Sequence, residues 1–194
     1  MRTADAGATV PRPRRGVASA PAFKGPDSSG SGPLLSWPFA QSTWNAVCPA
    51  TTADTLDHQI KGMRDFAPDL LHIPCGANDL LRRSPDFREI ERHMRKMYDL
   101  AAETGAQLTT FTLGRSYVVP VFPDWTERVL TLNDLTRALA GEYDVAVVDR
   151  WDHPVNSREN VLSADRLHFS TSGQAVMATE MVRALAALLA RRTP

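Results

Sequence analysis

Residues 85–113 read PDFREIERHMRKMYDLAAETGAQLTTFTL, and this stretch decides the fold class. Its first part, Pro85 to Glu103, predicts a long helix whose apolar face is formed by Phe87, Ile90, Met94, Met97, Tyr98 and Ala101. Gly105 is a suitable helix stop, and Leu108 to Leu113 then reads as a strand. An amphipathic helix that leads directly into an apolar strand is the repeating unit of α/β proteins.

The same alternation of short apolar runs and longer amphipathic runs continues on both sides of this stretch. Further strands are predicted at Asn45–Cys48, Leu70–Ile73 and Val145–Asp149. Further helices are predicted from a cap at Thr51 or Thr52 through Phe66, from Trp125 to Ala140, and from about Ser172 to Ala190. Alternating strands and helices indicate a parallel sheet with crossover helices.

The beginning of the chain has a different composition. Residues 1–36 are rich in Pro, Gly, Ser, Ala and Arg and lack hydrophobic periodicity, which is typical of a flexible tail. The sequence therefore predicts an irregular N-terminal segment, residues 1–43, followed by one α/β domain, residues 44–194.

Composition restricts the partners and the location. The 22 basic and 22 acidic residues leave no net charge that would attract nucleic acid or an anionic membrane, so a small or neutral partner is expected. The longest late apolar run, Val182–Ala190, contains Arg183, and we expect no membrane span. The first 23 residues lack the apolar region of a secretory signal, so a cytoplasmic protein is expected, with Cys48 and Cys75 as buried thiols.

A carboxylate and an imidazole lie three residues apart, at Asp165 and His168, just before the last predicted helix. An imidazole can take a proton from a hydroxyl nucleophile when a carboxylate orients it and stabilises its charge. An isolated Asp-x-x-His is more often a cap and a surface residue. Asp152 and His153 form a weaker candidate pair, because no helix follows them immediately.

The predicted strand at Leu70–Ile73 is followed by Gly76 and Asn78, at the strand end where parallel sheets bind ligands. Gly76 permits a tight turn, and the amide of Asn78 could donate a hydrogen bond to a developing oxyanion. The alternative is that Asn78 and Asp79 only cap the following turn. His58 and His93 lie on charged helix faces, and we expect both to face solvent.

Gly76–Leu81 and Ser163–Gly173 resemble the third and fifth sequence blocks of the SGNH, or GDSL-type, esterase and lipase superfamily, and the resemblance extends over roughly residues 45–190. It implies a three-layer α/β/α, flavodoxin-like fold and a serine hydrolase that forms an acyl-enzyme. His168 would be the general base and Asp165 its orienting group, while Asn78 and Gly76 would form the oxyanion hole. The resemblance implies no metal or cofactor.

The first block of that family supplies the nucleophile, and only Ser28, within Gly25–Gly30, approximates it. Pro49 stands where the second block has an oxyanion-hole glycine, and proline has no N–H to donate. Two explanations fit: a hydrolase fold that has lost its chemistry, or an early segment that is not in the natural reading frame. The sequence thus predicts a serine esterase for a small acyl ester, with a non-catalytic binding or scaffold protein as the alternative.

Overall fold

The structure is a computed structural model that describes residues 51–60, 62–166 and 168–192. The described residues belong to one compact unit, Ser42–Pro194. The predicted strand at Asn45–Cys48 and the predicted boundary between residues 43 and 44 lie outside the described residues.

Among the described residues, three parallel strands form the sheet, with β1 at Leu70–His72, β2 at Gln107–Phe111 and β3 at Ala146–Val148. Their order is β1-β2-β3, with Leu71 opposite Leu108 and Thr109 opposite Ala146. The helices are α1 (Thr52–Asp54), α2 (Met63–Phe66), α3 (Phe87–Ala102), α4 (Trp125–Glu142) and α5 (Thr171–Arg192). A π-helical turn at Thr55–Gln59 and 3₁₀ turns at Asp79–Leu81 and Pro154–Ser157 complete the described elements. The predicted parallel α/β architecture is confirmed.

Helix α3 follows the predicted pattern closely. It begins at Phe87 because the carboxylate of Asp86 accepts hydrogen bonds from the backbone N–H groups of Arg88, at 3.0 Å, and Glu89, at 3.2 Å. Its apolar stripe is buried as predicted, apart from Phe87, which is partly buried. The prediction that His93 faces solvent is wrong, since this residue is only 9% exposed. His93 lies three positions after Ile90, which places it at the edge of the buried stripe.

The predicted helix from Thr51 to Phe66 is interrupted. Thr51 caps α1 through a reciprocal capping box with Asp54, as the sequence suggested. Gly62, with φ of 88°, and Ala67, with φ of 50°, then break the helical path before and after α2. The apolar residues whose spacing predicted one helix therefore lie on separate short helices and turns.

The core lies where α3 and α4 pack together and against the sheet. Its fully buried side chains include Leu80, Met97, Tyr98, Val129, Leu132 and Leu139. Helix α5 contacts β3, but among its residues only Gly173, Met177 and Leu188 are buried.

Helix α5 is long and apolar enough to cross a membrane, judged by length and composition alone, with a mean hydropathy of 1.2 over its most apolar window. Val182 is 66% exposed and Leu189 is 48% exposed, while Arg183 pairs with Glu180 at 2.7 Å on the same helix. The absence of a membrane span stays a prediction.

Candidate active site

The structure brings Asp165 and His168 together. Asp165 Oδ2 lies 2.7 Å from His168 Nδ1, and Asp165 Oδ1 accepts the backbone N–H of His168 at 3.0 Å and the hydroxyl of Ser163 at 2.6 Å. The turn is closed by Arg166 in the left-handed region, at φ of 58°. Because the carboxylate occupies Nδ1, Nε2 is the ring nitrogen left to exchange protons, and the His168 side chain is 82% exposed.

Backbone contacts anchor the loop that carries this pair. The N–H of Ser163 donates to the carbonyl of His168 at 2.8 Å, and Leu162 forms an antiparallel bridge with Phe169. Gly173, in the first turn of α5, lies so close to the carbonyl of Val161 that a Cβ there would overlap it. The glycine therefore allows α5 to begin directly against the loop.

Gly76 and Asn78 lie in the loop that follows β1. Gly76 has φ of 95°, and a Cβ on it would be 2.6 Å from a methyl carbon of Leu132, so glycine satisfies both the backbone and the packing. Asn78 precedes the 3₁₀ turn, but its side chain makes no capping hydrogen bond to that turn. The alternative prediction, that Asn78 merely caps, therefore does not describe its side chain.

Asp79 accepts hydrogen bonds from Thr52 instead of capping the turn. Thr52 donates its N–H to Asp79 Oδ2 at 2.8 Å and lies with its hydroxyl 3.1 Å from Asp79 Oδ1. Asp79 is 4% exposed and Thr52 is fully buried, so these contacts are shielded from water. They fix the residue next to Asn78 to the beginning of α1.

The buried chain of polar groups continues to α3. Thr52 Oγ1 is 3.1 Å from His93 Nδ1, and His93 Nε2 is 2.9 Å from a guanidinium nitrogen of Arg92. A guanidinium can only donate, so Nε2 accepts and the ring proton is assigned to Nδ1. Nδ1 then donates to Thr52, whose own hydroxyl donates to Asp79. Sequence reasoning missed this network, and its only local signal was the acid directly after Asn78.

Two further buried polar residues hold the site loops from α4. Arg128 donates to the carbonyls of Leu80 at 2.8 Å, Arg82 at 2.6 Å and Arg83 at 3.1 Å, which fixes the chain after Asn78. The amide of Asn133 spans the backbone of Leu113, accepting its N–H and donating to its carbonyl, both at 2.8 Å. Sequence reasoning gave neither residue this role.

Cys75 is a free thiol whose pKa is raised to about 12 by burial and, to a lesser extent, by the nearby charge of Asp79, so it is a poor nucleophile. Within the described ranges, no group of three or more His, Cys, Asp or Glu side chains is arranged to hold a metal ion. Ser28, Cys48 and Pro49 lie outside the described residues.

The site residues follow two different strands at the carboxyl edge of one sheet. Gly76 and Asn78 follow β1, while Asp165 and His168 follow β3 after a longer connection. Parallel α/β proteins bind their ligands at this edge. The geometry therefore defines a class of protein: a parallel α/β fold in which a carboxylate orients an imidazole in the connection after β3.

Comparison with known proteins identifies the family. The model of the GDSL-like lipase/acylhydrolase family matches residues 25–176, so the chain belongs to this family. No curated protein sequence matches the chain significantly.

Solved structures of similar fold agree with this assignment. An alpha/beta hydrolase enzyme from the metagenome of Lake Arreo, Spain, is 20% identical with a TM-score of 0.60, over 72% of this chain and 70% of that one. The lipase/acylhydrolase from Enterococcus faecalis is 24% identical with a TM-score of 0.55, over 70% of each chain. The psychrotrophic esterase EstA from Pseudoalteromonas sp. is 15% identical with a TM-score of 0.57, over 73% of this chain and 74% of that one. The predicted SGNH hydrolase fold is confirmed.

Proposed function

We propose that the protein hydrolyses a carboxylic ester of a small molecule through an acyl-enzyme on serine, with His168 as general base and Asp165 as its orienting group. The observation that carries the proposal is the 2.7 Å contact between Asp165 Oδ2 and His168 Nδ1. This contact orients the ring and stabilises the imidazolium that forms when His168 takes a proton. Membership of an acylhydrolase family supports the same reaction class.

In the proposed reaction, Nε2 of His168 removes the proton of the serine hydroxyl as its oxygen attacks the ester carbonyl. The carbonyl oxygen becomes an oxyanion, and Asn78, with the backbone N–H of Gly76, donates to it. His168 then gives the proton to the departing alcohol. Water, activated by the same imidazole, attacks the acyl-enzyme and releases the acid.

Ser28 is the proposed nucleophile, and this assignment rests on sequence alone. It is the serine in the segment that approximates the family's nucleophile block. The substrate proposed is a small neutral acyl ester, in keeping with a chain of balanced charge.

A serine-directed fluorophosphonate probe and a short-chain chromogenic ester test the proposal together. We expect the wild-type protein to be labelled and active, Ser28→Ala to lose labelling, and His168→Ala to lose about a hundredfold or more in kcat. A phosphonate probe is suitable because the structurally similar esterase EstA is inhibited by monoethylphosphonate.

His58→Ala is the matched control, because His58 is an exposed histidine on the π-helical turn whose Nδ1 lies 3.2 Å from the backbone carbonyl of Asp54. This variant should keep the wild-type rate. Equal turnover in wild-type and His168→Ala protein would reject His168 as the base. A wild-type protein that is folded but neither labelled nor active would favour the alternative, a non-catalytic protein with the same fold.

A further inference from the structure

Arg150 follows β3 and is a buried arginine that lies against two aromatic rings. The residue is 4% exposed, and its guanidinium carbon lies 4.4 Å from the ring centroid of Phe169 and 5.7 Å from that of Phe111. The two rings themselves meet edge to face at 6.2 Å. Phe169 directly follows His168 in the sequence, so this cluster is adjacent to the proposed base.

The guanidinium has no anionic partner among the described residues. Its Nε is buried and makes no hydrogen bond within the described part of the chain, and burial lowers the pKa of Arg150 to about 10. The neighbouring carboxylates pair elsewhere, Asp149 with Arg137 at 2.6 Å and Asp152 with Arg115 at 3.4 Å. A buried charge without a carboxylate is costly, and an apolar side chain of similar volume at such a position is often neutral or stabilising.

The backbone of Arg150 does not depend on its side chain. Its N–H donates to the hydroxyl of Thr112 at 2.7 Å, and its carbonyl accepts from the amide of Asn156 at 2.7 Å. These two hydrogen bonds anchor the backbone of the segment independently of the guanidinium. The guanidinium itself lies against the rings of Phe169 and Phe111.

We propose that Arg150 is a positioning residue that acts through Phe169 on His168, an inference that rests on the proposed function. The His168 side chain is largely exposed, so its location depends on its backbone and on Asp165. Phe169 pairs with Leu162 in the bridge that closes the loop, and the guanidinium lies over the Phe169 ring. A cation held over an aromatic face attracts the ring and restricts its movement.

Kinetic and stability measurements on Arg150→Met separate positioning from packing. We expect unfolding at the same or a higher urea concentration, together with a kcat about tenfold lower and a KM within about twofold, because small misplacements of reacting groups are costly. Arg150→Lys, which keeps the charge but not the planar stack, should recover part of the loss. Arg137→Met is the control: its guanidinium pairs with Asp149 instead of the rings, and its kcat should stay at the wild-type value.

The double variant Arg150→Met/Phe169→Leu tests whether the effect of Arg150 on His168 passes through Phe169. If Arg150 acts through Phe169, the double variant should be no slower than Phe169→Leu alone. The inference would be overturned if the effects of the two single substitutions on kcat multiplied in the double variant. It would also be overturned if Arg150→Met left kcat unchanged, or if its loss of kcat were matched by a fall in stability.

Nuclear magnetic resonance of the His168 ring separates this inference from the proposed function. Arg150→Met should shift and broaden the imidazole C–H signals of His168 whether or not the protein turns over an ester. Unchanged His168 signals in this variant would overturn the positioning role. An inactive wild-type protein whose His168 signals still respond to Arg150→Met would reject the proposed function alone.

Discussion

Replacing Thr52 with valine removes the central hydroxyl of the buried network while nearly preserving side-chain volume. In the assigned proton pattern, this hydroxyl donates to Asp79 Oδ1 and accepts from His93 Nδ1, at 3.1 Å in both cases. The variant loses a hydrogen bond to a carboxylate and leaves the ring proton of His93 without a partner. The backbone N–H of Thr52, 2.8 Å from Asp79 Oδ2, keeps its contact.

These two losses determine how far the free energy of unfolding should fall. A hydrogen bond to a charged group contributes about 1.5–3 kcal/mol, and a buried donor left unsatisfied costs about 1–3 kcal/mol. Allowing for partial relaxation, we expect Thr52→Val to lower the free energy of unfolding by about 3 kcal/mol. For a domain of this size that corresponds to a Tm lower by roughly 6–12 °C.

Urea unfolding followed by circular dichroism measures this change. The midpoint should fall at an unchanged m-value, which shows that stability changed and not the surface exposed on unfolding. The control is Thr131→Val, which removes an exposed hydroxyl that donates to the carbonyl of Glu127 at 2.9 Å and should cost less than about 0.5 kcal/mol. Equal midpoint shifts in the two variants would refute the network. Additive effects of Thr52→Val and Asp79→Asn would refute it as well, because neighbours in one network couple.

Three other perturbations probe the parts of the fold that position the site. Asn133→Leu leaves the N–H and carbonyl of Leu113 unpaired and should lower the free energy of unfolding by about 3 kcal/mol, measured by urea titration. Gly76→Ala places a Cβ 2.6 Å from a methyl carbon of α4 at a φ of 95° and should lower Tm in a thermal melt by an amount equivalent to about 1–3 kcal/mol. The hydrogen bond from Arg137 and, to a lesser extent, that from Thr112 lower the pKa of Asp149. The stabilisation of the folded state by ionised Asp149 is therefore present above the unfolded pKa of about 3.9 and is lost as pH falls through the lower folded pKa. Asp149→Asn should therefore flatten the loss of stability in the acid limb, and parallel curves for variant and wild type between neutral pH and pH of about 3 would contradict this assignment.

The elements that sequence predicted well are those whose signals are local. Helix α3 was expected from Pro85 to Glu103 and runs from Phe87 to Ala102, because its apolar stripe and the Asp86 cap are contained within the helix and its first turn. The contact between Asp165 and His168 is equally local, since the two residues lie three apart in one turn, while their catalytic role stays a prediction. A contact between residues i and i+3 in a turn can be predicted without knowing how the remaining chain folds.

The errors and omissions concern polar groups whose partners are distant in sequence. Thr52 and Asp79 are 27 residues apart, and Asn133 reaches across 20 residues to Leu113. His93 has charged neighbours on its own helix, so its sequence suggested solvent, yet the hydroxyl that satisfies it comes from α1, 41 residues earlier. A polar side chain of this kind is buried where a second element supplies its hydrogen-bond partner. The residue pattern of one helix gives no information about that second element. The interactions that hold Asn78 and the site loops in place are therefore of the kind that a sequence pattern conceals, whereas the proposed acid–base pair is of the kind that it reveals.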